Sequence, residues 1–117
     1  MAEKQFACAT SDVPPDRAKI VTLNSRSIGI FNVKGSYHAL LNVCPHRGAS
    51  LCEGPVSGTT CPTDGREFVY GRENEIIRCA WHGWEFDIRT GEFLVNPRIK
   101  ARTYPVTVED EAIYVHV

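Results

Sequence analysis

Two short stretches of this chain carry side chains that an ordinary strand has no use for. The first, "NVCPHRGASL", holds Cys44 and His46, and the second, "RCAWHGWEFDIRTGEF", holds Cys79 and His82. Each offers one sulfur and one imidazole, spaced Cys-x-His and Cys-x-x-His, close enough to come from a single tight loop. Two sulfurs and two nitrogens suit either a tetrahedral zinc ion or an iron-sulfur cluster. Their distribution favours the cluster. Zinc modules usually pair like ligands within a knuckle, whereas a two-iron centre with cysteines on one iron and histidines on the other takes one of each from two similar loops.

The rest of the chain must supply the elements that hold these loops. Its apolar residues come in short β-branched or aromatic runs, "KIVTL", "SIGIFNV", "YHALLNV", "EFVY", "EIIRCA", "WEFDI", "EFLV", "YPVTV" and "AIYVHV". None keeps a helical period, so the chain reads as mostly β. Lys34-Gly35-Ser36, Thr90-Gly91 and Glu109-Asp110-Glu111 read as turns between runs. Short strands with punctuating turns predict a small antiparallel barrel or sandwich. The least regular stretch, Cys52 to Asn74, reads as a long loop followed by a possible hairpin.

A length of 117 residues fits one domain with one core and leaves no room for a second, catalytic domain. A net charge of -1 gives no global basic field, which argues against nucleic acid as a partner. The first residues lack the apolar run of a secretory signal and a twin-Arg signal, and no apolar window of about 18 residues follows. The expectation is a soluble cytoplasmic protein with no membrane partner. Five cysteines then read as thiols or metal ligands rather than a disulfide framework.

The two boxes, with Gly48 and Gly83 beside the histidines and with "SIGIFNVKGSYHALLNVCPH" before and "NPRIKARTYPV" after, resemble the Rieske [2Fe-2S] family, its small ferredoxins in particular. That resemblance implies an all-β Rieske (ISP-like) fold: an antiparallel β-sandwich or barrel base carrying a small cluster-binding subdomain of two ligand loops. It implies a single domain over 1–117, with the subdomain at about 43–86, a loop insertion at about 54–75, and a loop around Pro97 covering a third side. It further implies one Rieske-type [2Fe-2S] cluster per chain, with Cys44 and Cys79 on one iron and His46 and His82 on the other. Two neutral imidazoles in place of two thiolates bring the oxidised centre from about -2 to about zero charge, which raises its potential.

High-potential members of the family carry an extra cysteine in each box, joined as a disulfide. Ala49 and Trp81 stand at those positions here, and Trp84 stands where those members have a serine bonded to a cluster sulfide. Fewer hydrogen bonds to sulfur predict a potential toward the lower end of the roughly -150 to +300 mV Rieske range. The family reading is a one-electron carrier without catalytic residues of its own, an electron-transfer component between a flavin- and NAD(P)H-dependent reductase and a terminal oxygenase, monomeric or weakly oligomeric. The chain has no G-x-G-x-x-G fingerprint for a dinucleotide. The alternatives are a small Rieske-like subunit of an enzyme complex, such as an assimilatory nitrite reductase, and a zinc-binding interaction module.

Other chemistry-bearing residues have plainer readings. Cys52 and Cys61 read as free thiols, and Cys8 as a thiol near a frayed terminus. His38 and His116 read as structural or surface residues, and Leu51 and Trp84 as packing that keeps water from the centre. In "PRIKAR" the alternating Arg98, Lys100 and Arg102 fall on one side of a strand. They read as a solvated edge or, with Arg47, as a docking stripe for an acidic redox partner. Between His46 and Cys79 lie 32 residues, about twice the spacing usual in the small ferredoxins the chain resembles. The extra length, around "SGTTCPTDGREF", is a candidate partner-recognition element.

Overall fold

A computed structural model describes residues 3–15, 17–45, 50–54, 56–62, 68–79 and 84–117, with the backbone alone for 57–62 and 68–74. Among them lie strands β1 (Lys4–Ala9), β2 (Lys19–Leu23), β3 (Arg26–Val33), β4 (Ser36–Leu41) and β5 (Val56–Pro62). They are followed by β6 (Phe68–Arg78), β7 (Glu85–Asp87), β8 (Thr103–Tyr104), β9 (Val106–Glu109) and β10 (Ala112–His116). These strands form three antiparallel sheets in the orders β1-β10-β9, β2-β3-β4-β8 and β5-β6-β7. Among the described residues no helix is long and apolar enough to cross a membrane.

The hairpin turns follow from local chemistry. Asn24–Ser25 (φ 51 and 63), Lys34–Gly35 (φ 51 and 90) and Asp110–Glu111 (φ 49 and 64) place two successive residues in the left-handed region. That conformation matches the twist of the strands it joins. Asn32 helps at the second turn, its Oδ1 accepting the Gly35 N–H at 2.9 Å.

Strand β3 explains how the sheets stack. Ile28 and Ile30 point to one side, into a core shared with Cys8, Val13, Ile113 and Val115. Phe31 and Val33, one residue out of step, point to the other side, into a core with Leu40, Leu51, Ile77, Phe86 and Ile88. The four-stranded sheet is therefore a middle layer buried on both faces, which is why β3 reads as an almost continuous apolar run. Each fully buried Ile or Phe contributes about 1.5–3 kcal/mol relative to exposure. The second core lies between the middle layer and β5-β6-β7, and it holds both Cys44 and Cys79.

Two expectations change. Cys8 does not sit at a frayed end: it is 5% exposed on β1, which pairs with β10 through a bulge between Phe6 and Cys8. Burial, and secondarily Asp12, pushes its thiol pKa up. The stretch expected as a long loop followed by a possible hairpin is the β5–β6 hairpin from Val56 onward, in which Thr59–Pro62 pair with Phe68–Gly71. Val56, Thr59, Thr60, Val69 and Tyr70 are β-branched or aromatic and outweigh the Gly58 and Pro62 that suggested a loop. Cys61 is paired with Val69 along this hairpin, and its side chain lies outside the described residues.

Candidate metal centre

Cys44 stands at the mouth of the connection that leaves β4. Backbone bonds turn the chain there: Asn42 N–H donates to Ser27 C=O at 2.9 Å and Val43 N–H to Leu41 C=O at 2.8 Å. The connection returns as a short 3-10 turn, Leu51–Glu53. Its neck is closed by one side chain. The Asn42 Oδ1 accepts the Cys52 N–H at 2.7 Å, while its Nδ2 donates to Ser27 Oγ at 3.1 Å. Asn42 is only 8% exposed, so these bonds are made largely out of water, where an unpaired amide is costly.

Cys79 directly follows β6, and the chain re-enters at Trp84 before β7. The loop is closed by the Cys79 N–H donating to Trp84 C=O at 2.8 Å, just inside the last strand pair, Arg78 with Glu85. An Arg78–Glu85 ion pair at 3.4 Å flanks the same end. The two loops meet through a glycine: a Cβ on Gly54 would lie 1.8 Å from the Arg78 carbonyl oxygen. Only a residue without a side chain allows the returning first loop to pass that close to the residue before Cys79.

Both cysteines are fully withdrawn from water, Cys44 at 1% and Cys79 at 0% exposure, in the same apolar cluster. Leu51 belongs to that cluster and Trp84 packs against it, as the sequence suggested for both. The Trp84 ring stacks on Phe93, with centroids 4.1 Å apart and planes 2° from parallel, and Phe86 lies 5.5 Å from Phe93. The loop around Pro97 is tied to the same aromatic group. Phe93 N–H donates to Ile99 C=O at 2.9 Å, Leu94 N–H to Glu85 C=O at 3.0 Å, and Asn96 Oδ1 accepts Arg98 N–H at 3.1 Å.

His46 and His82 lie outside the described residues, as do Arg47, Ala49 and Trp81. Among the described residues no group of three or more His, Cys, Asp or Glu is arranged to hold a metal, and the described part of the predicted set is its two sulfurs. Those sulfurs fit a thiolate-ligated iron: two soft donors, each at the end of its own closed loop, in a water-poor apolar cluster.

Neither remaining histidine joins the site's core. His38, on β4, is partly buried with its Nε2 unpartnered, and burial lowers its pKa, with Arg89 adding to and Asp87 opposing the shift. His116 Nε2 shares a 2.7 Å hydrogen bond with Thr107 Oγ1 between β10 and β9. Cys52 is structural. Its sulfur faces Leu40 C=O at 3.6 Å, and a Cβ on Gly29 would meet that sulfur at 2.5 Å. Asn42 and Gly54 were missed as positioning residues. The available signals were a polar residue inside the apolar run "YHALLNV" and a glycine following a cysteine loop.

Comparison with known proteins agrees with this geometry. The sequence model of the Rieske [2Fe-2S] domain matches residues 3–107. The ferredoxin component of the p-cumate 2,3-dioxygenase system of Pseudomonas putida is 37% identical over 112 residues, 94% of this chain and 82% of that one. Among solved structures, a Sphingomonas yanoikuyae B1 ferredoxin superposes with a TM-score of 0.76 at 27% identity, covering 98% of this chain and 99% of the other. A chain from Mycobacterium tuberculosis described as an NADH-dependent nitrite reductase small subunit superposes with a TM-score of 0.75 at 25% identity, covering 100% and 96%.

Proposed function

The chain belongs to the Rieske [2Fe-2S] domain family, and we propose that it is a soluble one-electron carrier binding one cluster through Cys44, His46, Cys79 and His82. The observation that carries this reading is the placement of Cys44 and Cys79 in one buried apolar cluster, on two loops that touch at Gly54. When bound, the cluster supplies reversible one-electron chemistry. The cysteine sulfurs hold it from the protein side, away from water. His46 and His82 complete the set with neutral donors, and by resemblance their edges face the solvent and the partner. Leu51, Trp84, Phe86 and Phe93 exclude water from the cysteine side, which keeps the dielectric low around the sulfurs.

The subdomain spans about 43–86, with an insertion at about 54–75 that takes in most of the β5–β6 hairpin. As a carrier the chain relays electrons from a flavin-dependent, NAD(P)H-oxidising reductase to a terminal oxygenase, as an electron-transfer component rather than an enzyme. The relative named a dioxygenase ferredoxin component supports this placing. A cytoplasmic setting, supported by the lone buried thiols of Cys8 and Cys52, is part of the same proposal.

The test is visible absorption and reduced-state EPR on purified protein, with iron and acid-labile sulfide counted on the same sample. Two irons and two sulfides per chain with a low average g support the carrier. A colourless protein that holds zinc, or that fails reconstitution with iron and sulfide, would sink it. A second reading is favoured by the likeness to the nitrite reductase small subunit: a fixed subunit of an enzyme complex. Co-purification with a large siroheme flavoprotein would identify that role, whereas a free reducible protein identifies the carrier.

A further inference from the structure

The segment from Arg98 to Tyr104 leaves the Pro97 loop, runs along Glu92, and enters the middle sheet as β8. Ile99 and Ala101 pack on the cluster that holds the cysteines, while Arg98, Lys100 and Arg102 stand exposed on the opposite side. The sequence left open whether this is a solvated edge or a docking stripe. Three structural features separate the two readings.

The first is pairing. Lys4, Lys34, Arg78 and Arg89 each meet a carboxylate. Among the described residues Arg98, Lys100 and Arg102 make no ion pair, nor does the neighbouring Arg26; of the other described cations, Arg17 and Lys19 share that state. The second is a receptacle. Arg102 and Arg26 face a cleft of about 420 Å³ also lined by Asn24, Thr103 and His116. Two guanidinium groups with an amide and a hydroxyl form a setting for a carboxylate. The third is rigidity. Ala101 N–H donates to Gly91 C=O at 2.8 Å, Leu41 N–H to Arg102 C=O at 2.8 Å, and the Arg102 guanidinium rests 5.2 Å from the Tyr104 ring centroid. A mobile solvated edge has no need of such anchoring.

The band also begins beside the metal centre. Leu94 is bonded to Glu85, next to Trp84, whose carbonyl holds the Cys79 N–H. Val95, 83% exposed, offers an apolar contact at the same loop. Resting on the electron-carrier reading, we infer that Arg98, Lys100 and Arg102 form the docking surface for an acidic redox partner, one carboxylate of which enters the Arg26–Arg102 cleft. On a chain of net charge -1, such a band orients the approach of that partner and speeds encounter more than it tightens the complex.

The probes are hexaglutamate and hexalysine peptides carrying a neutral dye, titrated into the holo-protein at about 10 mM and about 150 mM ionic strength, where screening lengths are about 30 Å and 8 Å. Hexaglutamate should bind at low salt and weaken steeply at high salt, and its affinity should fall about tenfold in Lys100→Glu and again in Arg26→Gln. Lys100 makes no contact on which folding depends, so that variant remains readable if others do not fold. Equal binding of the two peptides, or unchanged affinity in both variants, would overturn the inference. Bound hexaglutamate should also slow oxidation of the reduced protein by ferricyanide, and an unchanged rate would equally overturn it by placing the band away from the electron's exit. Peptide binding is read from the dye rather than from the cluster, so a colourless protein sinks the carrier and leaves the charge of the band measurable.

Discussion

Burial pushes the Cys52 thiol up to about 12, so at neutral pH it is protonated and a poor nucleophile. Its place in the fold has a consequence for alkaline stability. The unfolded thiol titrates near 9.0 and the folded one near 12, so between them the unfolded chain has lost a proton that the folded chain still holds. Stability from this group is complete below pH 9 and is lost as pH rises toward 12, at about 1.4 kcal/mol per pH unit. Denaturant titrations of the wild type and Cys52→Ala should therefore differ in alkaline slope, and identical slopes would show the thiol to be accessible. Residues of this kind are poorly legible in a sequence: Cys44 and Cys79 announce themselves by spacing to a histidine, whereas Cys52 differs from them only in what the fold packs around it. Asn42 was hidden for the same reason, since its partners, Ser27 and the Cys52 N–H, are remote in sequence or on the returning loop.

At the scale of elements, two contacts set the relative position of the ligand loops, and they fail differently. Asn42→Leu keeps the volume but leaves the Cys52 N–H buried and unpaired, which should cost about 1–3 kcal/mol. Gly54→Ala drives a Cβ into the Arg78 carbonyl and must push the loops apart, at about 1–3 kcal/mol of strain. In both, iron per chain should fall, and Tm should drop by about 4–8 °C for each kcal/mol lost. Full iron occupancy in Gly54→Ala would mean that the loops are held together elsewhere. Sequence patterning did well where strands alternate or run apolar, as in β3, β4 and β10, and where a Gly or an Asp-containing turn separates them. It missed β1, "KQFACA", because a bulge between Phe6 and Cys8 breaks the period of two. It found the apolar runs of β6 but took β5 for a loop because Gly58 and Pro62 are read as breakers, yet both lie in β5, where a register shift falls between Ser57 and Thr59.

For the whole molecule, the quantity that places it among its relatives is its reduction potential. Ala49 and Trp81 cannot form the bracing disulfide, and Trp84 offers an indole where high-potential members have a hydroxyl. A redox titration should give a midpoint toward the low end of the roughly -150 to +300 mV span, while a value well above zero would mean that other donors reach the sulfides. The middle sheet has a further bearing, on how such a centre is made. Its outer face is covered by Ile113 and Val115 of β10, and β1 pairs along that same strand. During synthesis, then, the sheet from which the first ligand loop hangs stays bare on one side until residues 112–116 have left the ribosome. Iron and sulfide delivered before then would meet cysteines on a sheet whose opposite face is still uncovered, so a chain cut before residue 112 should hold less iron than the full chain.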